Sequence, residues 1–183
     1  RDLHSFPTRR SSDLLVDSRG RTLNNDDVST FKSGYAVAKW NNFTTTGATT
    51  KSAQFPDTDF FLMRIAEAYL TYAEALARQN GGTATGEAAN TINAIRSRAN
   101  ASTKDSYTLD DICDEWCREF YFEGRRRMDL VRFGNFGGST NYNWQWKGSA
   151  YAGRIFEAYR NVFAIPTTDL TANPNLVQNE GYR

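Results

Sequence analysis

The sequence has one histidine and two cysteines, which limits the catalytic and metal sites that it can build. Structural and catalytic zinc sites take several Cys or His ligands, and a Ser-His-Asp triad needs histidine as its base. Cys113 and Cys117 lie four residues apart on one predicted helix. Their Cα–Cβ bonds there point in roughly parallel directions, so the two side chains are badly placed for a disulfide. We therefore expect no metal centre, no cofactor and no Ser-His triad, and we interpret both cysteines as small apolar side chains.

The chain also lacks an excess of charge of either sign and a long apolar run. It carries 22 Lys and Arg residues against 21 Asp and Glu residues. Sequence-independent binding of nucleic acid depends on basic side chains that neutralise phosphates, so nucleic acid is not an expected partner. No apolar run approaches the roughly 18 residues that a membrane-spanning helix needs. Any membrane attachment would then depend on an N-terminal anchor outside this chain.

The first residues look foreign to the rest of the chain. Residues 4–14 read HSFPTRRSSDL and resemble the conceptual translation of a short-read sequencing adapter. We interpret residues 1–14 as a non-native segment and residues 15–183 as the natural part, with the coding sequence expected to continue upstream. An ordinary polar N-terminal tail is the alternative.

Three amphipathic helices are predicted between Pro56 and Gly124. The first is expected to start at residues 56–59 and to end at Gly81 and Gly82; its predicted apolar face is Phe61, Leu62, Ile65, Ala66, Tyr69, Ala73 and Leu76. The second is expected to be capped by Thr85, with Ala88, Ile92, Ile95 and Ala99 on its apolar stripe and with Arg96 and Arg98 away from it. Because the connection is short and alanine is abundant, the two helices should form an antiparallel, tetratricopeptide-like hairpin.

The third helix carries the clearest start signal. Thr108 and Asp111 approximate a capping box, and the apolar stripe that follows is Leu109, Ile112, Cys113, Trp116, Cys117 and Phe120. Gly124 is expected to break or bend the helix. Beyond Phe133 the glycine-rich pattern predicts an irregular, loop-rich C-terminal segment, and the short stretch 34–40 predicts an extended segment.

Acidic and basic residues recur at three- and four-residue spacing around Gly124. We predict that they form a structural ionic cluster of Glu115, Arg118, Glu119, Glu123, Arg126, Asp129 and Arg132. The alternative is that Glu119 and Glu123 are a general acid/base pair of a helical glycoside hydrolase. Each acid has an arginine close by in sequence that would hold it ionised, which favours the structural interpretation.

The second candidate site is a group of aromatic residues in a Gly-, Asn- and Ser-rich stretch, namely Tyr142, Trp144, Trp146 and Tyr151. Exposed aromatic rings on loops can stack on sugar rings, and neighbouring amide groups can bind hydroxyls. The sequence therefore predicts these four residues as a ligand-binding site. The alternative is that the large side chains attach an irregular segment to the helices.

The ordered set of motifs resembles the C-terminal part of the SusD/RagB family of surface nutrient-binding lipoproteins. The similar pieces are MRIAEAYLTYAEAL at residues 63–76, INAIRSRA at 92–99, REFYFEGRRRMDLVRFG at 118–134, NWQWKG at 143–148 and FAIPTTDLTANPNLVQNEGY at 163–182. Trp116, where an arginine is expected, and Arg127 and Met128, where aromatic residues are usual, depart from the family pattern.

The resemblance implies a mostly α-helical protein with tetratricopeptide-like hairpins, held on the outer membrane by an N-terminal lipid and exposed at the cell surface. Such a protein binds an oligosaccharide, or in some members a peptide, and delivers it to a TonB-dependent transporter of the SusC type. No catalysis is implied. The resemblance also implies that most ligand contacts lie upstream of this chain, and a purely protein-binding scaffold is a further hypothesis.

Overall fold

The protein is described by a computed structural model that covers residues 59–183 throughout and, before them, residues 29, 39–40, 42–44, 46–52, 54–55 and 57. Residues 1–14, most of the predicted extended segment 34–40 and part of the predicted helix start at 56–59 lie outside the described residues. Within the described part, five α-helices and two strands follow in the order α1 (Ile65–Gln79), β1 (Thr83–Thr85), α2 (Glu87–Arg98), β2 (Ser106–Thr108), α3 (Leu109–Glu119), α4 (Arg126–Arg132) and α5 (Thr167–Ala172).

The chain divides into two compact units, which are described separately. The first ends at Phe122 and contains the elements from α1 to α3, and the second is Glu123–Arg183. The five α-helices and the small two-stranded sheet of the described residues confirm the mostly helical fold class.

Helices α1 and α2 form the predicted antiparallel hairpin. The Tyr72 hydroxyl bonds to Glu87, and one turn earlier on α1 the Thr91 hydroxyl donates to the carbonyl of Tyr69 at 3.5 Å. From the first contact to the second, the residue number decreases by three on α1 and increases by four on α2. The two helices therefore run in opposite directions. Small residues line the contact and allow close approach; the buried alanines are Ala66, Ala73, Ala77, Ala88 and Ala89.

The predicted start of α1 is wrong, and its predicted apolar face is correct at Ala66 and Ala73 but wrong at most other positions. The helix begins at Ile65 instead of near residues 56–59, and its flanking residue Arg64 makes no side-chain capping bond. Leu62 and Ile65 are exposed, whereas Leu70 is fully buried on a stripe shifted by one residue from the predicted one. The shift follows from packing, because alanine on the buried stripe brings α2 closer than Ile65 and Tyr69 would allow.

Two features of α2 also differ from the prediction. The residue at the N-terminal cap is Gly86, and Thr85 instead ends strand β1. Arg96 is buried, since its guanidinium group finds a carboxylate on α3. Strand β1 pairs antiparallel with β2, with Ala84 opposite Tyr107; three-residue strands leave too little alternation for the sequence to predict them.

Helix α3 starts as predicted. The Thr108 hydroxyl accepts a hydrogen bond from the Asp111 amide at 3.2 Å, and the Asp111 carboxylate accepts one from the Thr108 amide at 3.0 Å, which is a complete capping box. Ile112 and Trp116 on this helix are fully buried, and α3 packs against α1. The helix ends at Glu119, five residues before Gly124.

The second unit is irregular outside α4 and α5, as predicted. It contains 3₁₀ turns at Lys147–Ser149 and Ala158–Asn161, and a parallel bridge joins Gly137 to Phe156. Leu176 donates to the carbonyl of Asn173 at 3.0 Å, closing the predicted C-terminal turn. Most of this unit is therefore held by turns, isolated backbone hydrogen bonds and side-chain contacts instead of by regular backbone ladders.

Candidate functional site

The four predicted aromatic residues lie on one closed loop of the second unit, here called the aromatic loop (residues 142–156). The Asn143 amide donates to the carbonyl of Ala152 at 2.9 Å, and the backbone N–H of Trp146 donates to the carbonyl of Tyr151 at 3.3 Å. A third bond runs from the Arg154 N–H to the carbonyl of Lys147 at 3.0 Å. These bonds tie the two sides of the loop together over its whole length.

The tip of the aromatic loop has a strained backbone. Trp146 and Ser149 adopt φ values of +66° and +62°, a backbone region that residues other than glycine rarely occupy. Gly148 between them has φ +66°. Positive φ in a residue with a Cβ costs roughly 1–2 kcal/mol, so surrounding contacts must hold the tip in this shape. Such strain is common where a loop presents side chains to a ligand.

The aromatic rings form two edge-to-face pairs. Tyr142 and Trp144 have centroids 5.9 Å apart, and Trp146 and Tyr151 have centroids 5.5 Å apart. One member of each pair is well exposed, with Trp144 at 40% and Tyr151 at 50% relative accessibility, while the other member is half-buried. The exposed rings can therefore receive a ligand while their half-buried partners fix their orientation.

Lys147 lies beneath these rings and is only 2% exposed. Its ammonium group donates to the carbonyls of Tyr142 at 3.1 Å and Phe136 at 3.3 Å, and it lies 4.8 Å from the Trp144 ring centroid and 5.0 Å from that of Phe156. Burial lowers the pKa of Lys147. Among the described residues no carboxylate pairs with this ammonium group. Lys147 was not predicted as a site residue, because its burial depends on contacts outside the motif.

The predicted ionic cluster is divided between the two units. Glu115, Arg118 and Glu119 belong to α3 in the first unit, whereas Glu123, Arg126, Asp129 and Arg132 belong to the second. The expected break near Gly124 lies between these two groups, since α3 ends at Glu119 and α4 begins at Arg126.

On α3, each buried glutamate binds an arginine of α2 and a second arginine, from α3 itself or from the residue before α1. Glu115 accepts from Arg96 at 2.6 Å and from Arg118 at 2.7 Å. Glu119 accepts from Arg98 at 2.6 and 2.7 Å and also pairs with Arg64. Arg64, Arg96 and Arg98 were not predicted as partners, because a local charge pattern reports only pairs that are close in sequence.

In the second unit, Asp129 is buried and pairs with Arg132 at 3.1 Å and with Arg125 at 3.8 Å. Arg126 instead lies over the Tyr142 ring, 5.1 Å from its centroid, and donates to the Tyr142 hydroxyl. Arg126 thus connects α4 to the aromatic loop, and Glu123 is half-buried just before α4.

Neither a metal-binding cluster nor a membrane-spanning helix is found in the part of the chain that the structure describes. The described residues contain no group of three or more His, Cys, Asp or Glu side chains placed to hold a metal ion. None of the helices in the described ranges is both long enough and apolar enough to cross a membrane.

Comparison with known proteins gives consistent matches. The profile of the SusD family matches residues 7–182. A starch-binding protein SusD from Bacteroides thetaiotaomicron is 48% identical over 165 residues, which are 89% of this chain and 29% of that protein. A SusD-like protein from Bacteroides ovatus is 37% identical over 91 residues, which are 48% of this chain and 17% of that protein. The chain therefore spans less than a third of the length of these relatives.

Solved structures agree with the sequence matches. Surface glycan-binding protein A from Bacteroides thetaiotaomicron, solved in complex with laminarihexaose, is similar with a TM-score of 0.57 and 27% identity over 73% of this chain and 29% of that chain. A SusD superfamily protein from Parabacteroides distasonis has a TM-score of 0.63 at 23% identity, over 82% of this chain and 32% of that chain, and shows the fold alone.

Proposed function

Because the chain belongs to the SusD family, we propose that it is part of a protein that binds glycan nutrients at the cell surface. The observation that carries the proposal is the 48% identity to a starch-binding protein over 89% of the chain. The aromatic loop supports it, since Trp144 and Tyr151 offer exposed rings beside polar amide groups. In this proposal Tyr142 orients Trp144, Trp146 orients Tyr151, and all four residues contribute to one glycan-binding site.

The experiment is a calorimetric titration of the protein expressed from the complete coding sequence with maltoheptaose, laminarihexaose and a peptide of matched length. We expect binding of a glycan and none of the peptide. The double variant Trp144→Ala, Tyr151→Ala should reduce glycan affinity at least about tenfold, which corresponds to about 1.4 kcal/mol. Tyr121→Ala, which removes a similarly exposed ring from the first unit, is the control and should bind as the wild type. Binding of the peptide alone would assign the protein to peptide uptake instead.

We propose a binding role and no hydrolysis. The Glu119 carboxylate is occupied by the guanidinium groups of Arg64 and Arg98, which supports a role in stability over one as a general acid. Incubation with either oligosaccharide should release no new reducing ends. Release that is lost in Glu119→Gln while folding is retained would overturn the binding role in favour of a glycoside hydrolase.

Delivery of the bound glycan to a TonB-dependent, SusC-like transporter and attachment to the outer membrane by an N-terminal lipid complete the proposal. Both rest on membership of the family and concern the longer protein. Expression of the complete upstream coding sequence should give a palmitate-labelled protein that external protease removes from intact cells, and it should co-purify with a transporter in mild detergent. A protein that remains unlabelled and protease-resistant would contradict this location.

A further inference from the structure

The buried ammonium group of Lys147 requires a reason, because an unpaired buried charge is costly. Two carbonyl oxygens, of Phe136 and Tyr142, accept its hydrogen bonds, and two ring faces, of Trp144 and Phe156, lie about 5 Å away. Carbonyl dipoles and ring quadrupoles both stabilise a cation, and ring contacts strengthen when the cation is removed from water. Lys147 is therefore compensated without a carboxylate, by three residues of the aromatic loop and by Phe136 outside it.

The same network continues to helix α4 on both sides. Arg127 lies 4.9 Å from the Phe136 centroid, and Phe136 meets Phe156 edge to face at 5.3 Å. On the other side, Arg126 lies over Tyr142, whose ring contacts Trp144. Arg126 and Arg127 are adjacent at the start of α4. The contacts therefore form a closed path that begins at Arg126, passes through Lys147 and ends at Arg127. Its members in order are Arg126, Tyr142, Trp144, Lys147, Phe156, Phe136 and Arg127.

Two further cations lie beside this network. Arg160 lies 5.7 Å from the Phe156 centroid, on a ring that Lys147 also contacts, and Arg154 follows Lys147 across the loop. The aromatic loop itself contains no Asp or Glu. The shared ring attracts these cations and offsets part of their mutual repulsion. Because Lys147 pairs with no carboxylate among the described residues, its removal alters the loop interior without freeing a counter-ion.

We infer that Lys147 is a positioning residue that holds Trp144 and Tyr142 in the orientation that a glycan ring requires. This inference rests on the proposed glycan binding by the aromatic loop. The strained backbone at Trp146 directly precedes Lys147, and the strained Ser149 follows two residues later, so Lys147 lies where the loop most needs restraint. A loop restrained before binding loses less conformational entropy when the ligand arrives.

The test compares Lys147→Met, which keeps the length of the side chain and removes its charge, with Lys147→Arg, both in the protein expressed from the complete coding sequence. Lys104→Met is the matched control. The Lys104 ammonium group also lies near a ring, 5.6 Å from the Tyr107 centroid, but Lys104 is exposed and belongs to the first unit. We expect maltoheptaose affinity to fall about tenfold in Lys147→Met, to be partly restored in Lys147→Arg and to be unchanged in Lys104→Met.

A spectroscopic readout separates positioning from general stability. In a chain labelled with 5-fluorotryptophan, the ¹⁹F resonance of Trp144, assigned with Trp144→Phe, should shift or broaden in Lys147→Met. The resonance of the buried Trp116 in the first unit should stay in place. Movement of both resonances together with a lower unfolding temperature would show a merely structural role and would overturn the inference.

The two proposals fail differently. If Lys147→Met binds maltoheptaose like the wild type while Trp144→Ala, Tyr151→Ala does not, the positioning inference is wrong and the proposed function stands. If neither variant affects binding, the aromatic loop is not the site. Should Lys147→Met fail to fold, Phe156→Leu removes one ring from the network without touching Trp144; unchanged affinity in that variant would overturn the inference, and a several-fold loss would support it.

Discussion

The indole N–H of Trp116 donates to the buried carboxylate of Glu74 at 3.0 Å and joins α3 to α1. Arg78 binds the other oxygen of the same carboxylate at 2.8 Å. Trp116 stands where the resemblance to the SusD/RagB family leads one to expect arginine, and its donor reaches an acid as a guanidinium group would. The departure from the family pattern therefore preserves a polar contact inside the helical unit.

Trp116→Phe tests this contact. The ring remains large and apolar, but Glu74 loses one hydrogen bond inside the protein, which should lower the free energy of unfolding by about 1–3 kcal/mol. Urea unfolding followed by circular dichroism measures the change. Tyr69→Phe on α1 removes a polar atom from an exposed ring and should change stability by less than about 0.5 kcal/mol. Equal effects of the two substitutions would contradict the role given to the Trp116 donor.

The Arg96–Glu115 pair is expected to be critical for stability. Both side chains are buried, and Arg96 also donates to the carbonyl of Ser102 at 2.6 Å. Glu115→Met alone should cost about 3–5 kcal/mol, because it leaves the buried Arg96 charge without a carboxylate, and Arg96→Met should cost less, because Glu115 keeps its pair with Arg118. The double variant should cost less than the sum. The exposed pair of Lys104 with Asp111 provides the control, since Lys104→Met should cost less than about 1 kcal/mol.

The sequence predicted those elements that are specified by neighbouring residues. The capping box of Thr108 and Asp111 spans three positions, so the start of α3 could be read directly. The start of α1 could not, because several polar residues before Ile65 offer equally good caps and tertiary packing selects among them. The burial of Arg96 depends on Glu115, nineteen positions away, and no local pattern reports that distance.

The candidate site shows the same division. The four aromatic residues are close together in sequence, so composition alone could group them. Lys147 looked like a polar neighbour, because its burial depends on the carbonyl of Phe136 and the ring of Phe156, which lie eleven positions before and nine after it. Their roles in ligand binding stay predictions until the titrations are made.

Gly153 should be less tolerant of alanine than Gly134. Both adopt positive φ, at +75° and +71°, so alanine adds a similar backbone strain of roughly 1–2 kcal/mol at either position. A Cβ at Gly153 would also collide with Asn143 and the carbonyl of Trp144, whereas a Cβ at Gly134 would meet nothing within 4 Å. Gly153→Ala should therefore weaken maltoheptaose binding more than Gly134→Ala does. Equal affinities in a titration of the two variants would show that closure of the aromatic loop does not matter for binding.

Apolar residues before and at the start of α1 should make the isolated chain associate. Five of them are mostly exposed, namely Phe60, Phe61, Leu62, Met63 and Ile65. A contiguous exposed patch of this kind favours association, so we expect residues 15–183 expressed alone to be poorly soluble or oligomeric in light scattering. Leu62→Gln with Met63→Gln should reduce association, while Leu176→Gln with Val177→Gln should reduce it less. A monodisperse monomer with cooperative unfolding would contradict the expectation.

Tyr107 should make the first unit lose stability at alkaline pH. Burial raises the pKa of its phenol above the usual 10.0, and the hydroxyl donates to Asn93 at 2.5 Å and accepts from the Lys104 amide at 3.0 Å. Above pH 10 the unfolded phenol ionises while the folded one stays protonated, so the unfolded state is favoured progressively as pH rises towards the folded pKa. The stability contributed by Tyr107 is thus complete below pH 10 and declines above it.

The measurement is the free energy of urea unfolding of the wild type and of Tyr107→Phe between pH 8 and pH 11. Phenylalanine removes both the hydrogen bonds and the titration, so the wild type should be the more stable protein at pH 8 and the difference should shrink as pH exceeds 10. Tyr121, whose pKa burial also raises, is present in both proteins and cancels in the difference. A difference that stays constant up to pH 11 would show that the Tyr107 phenol has the same pKa in the folded and unfolded states. The burial of Tyr107 on β2 against α2 would then not destabilise its phenolate form.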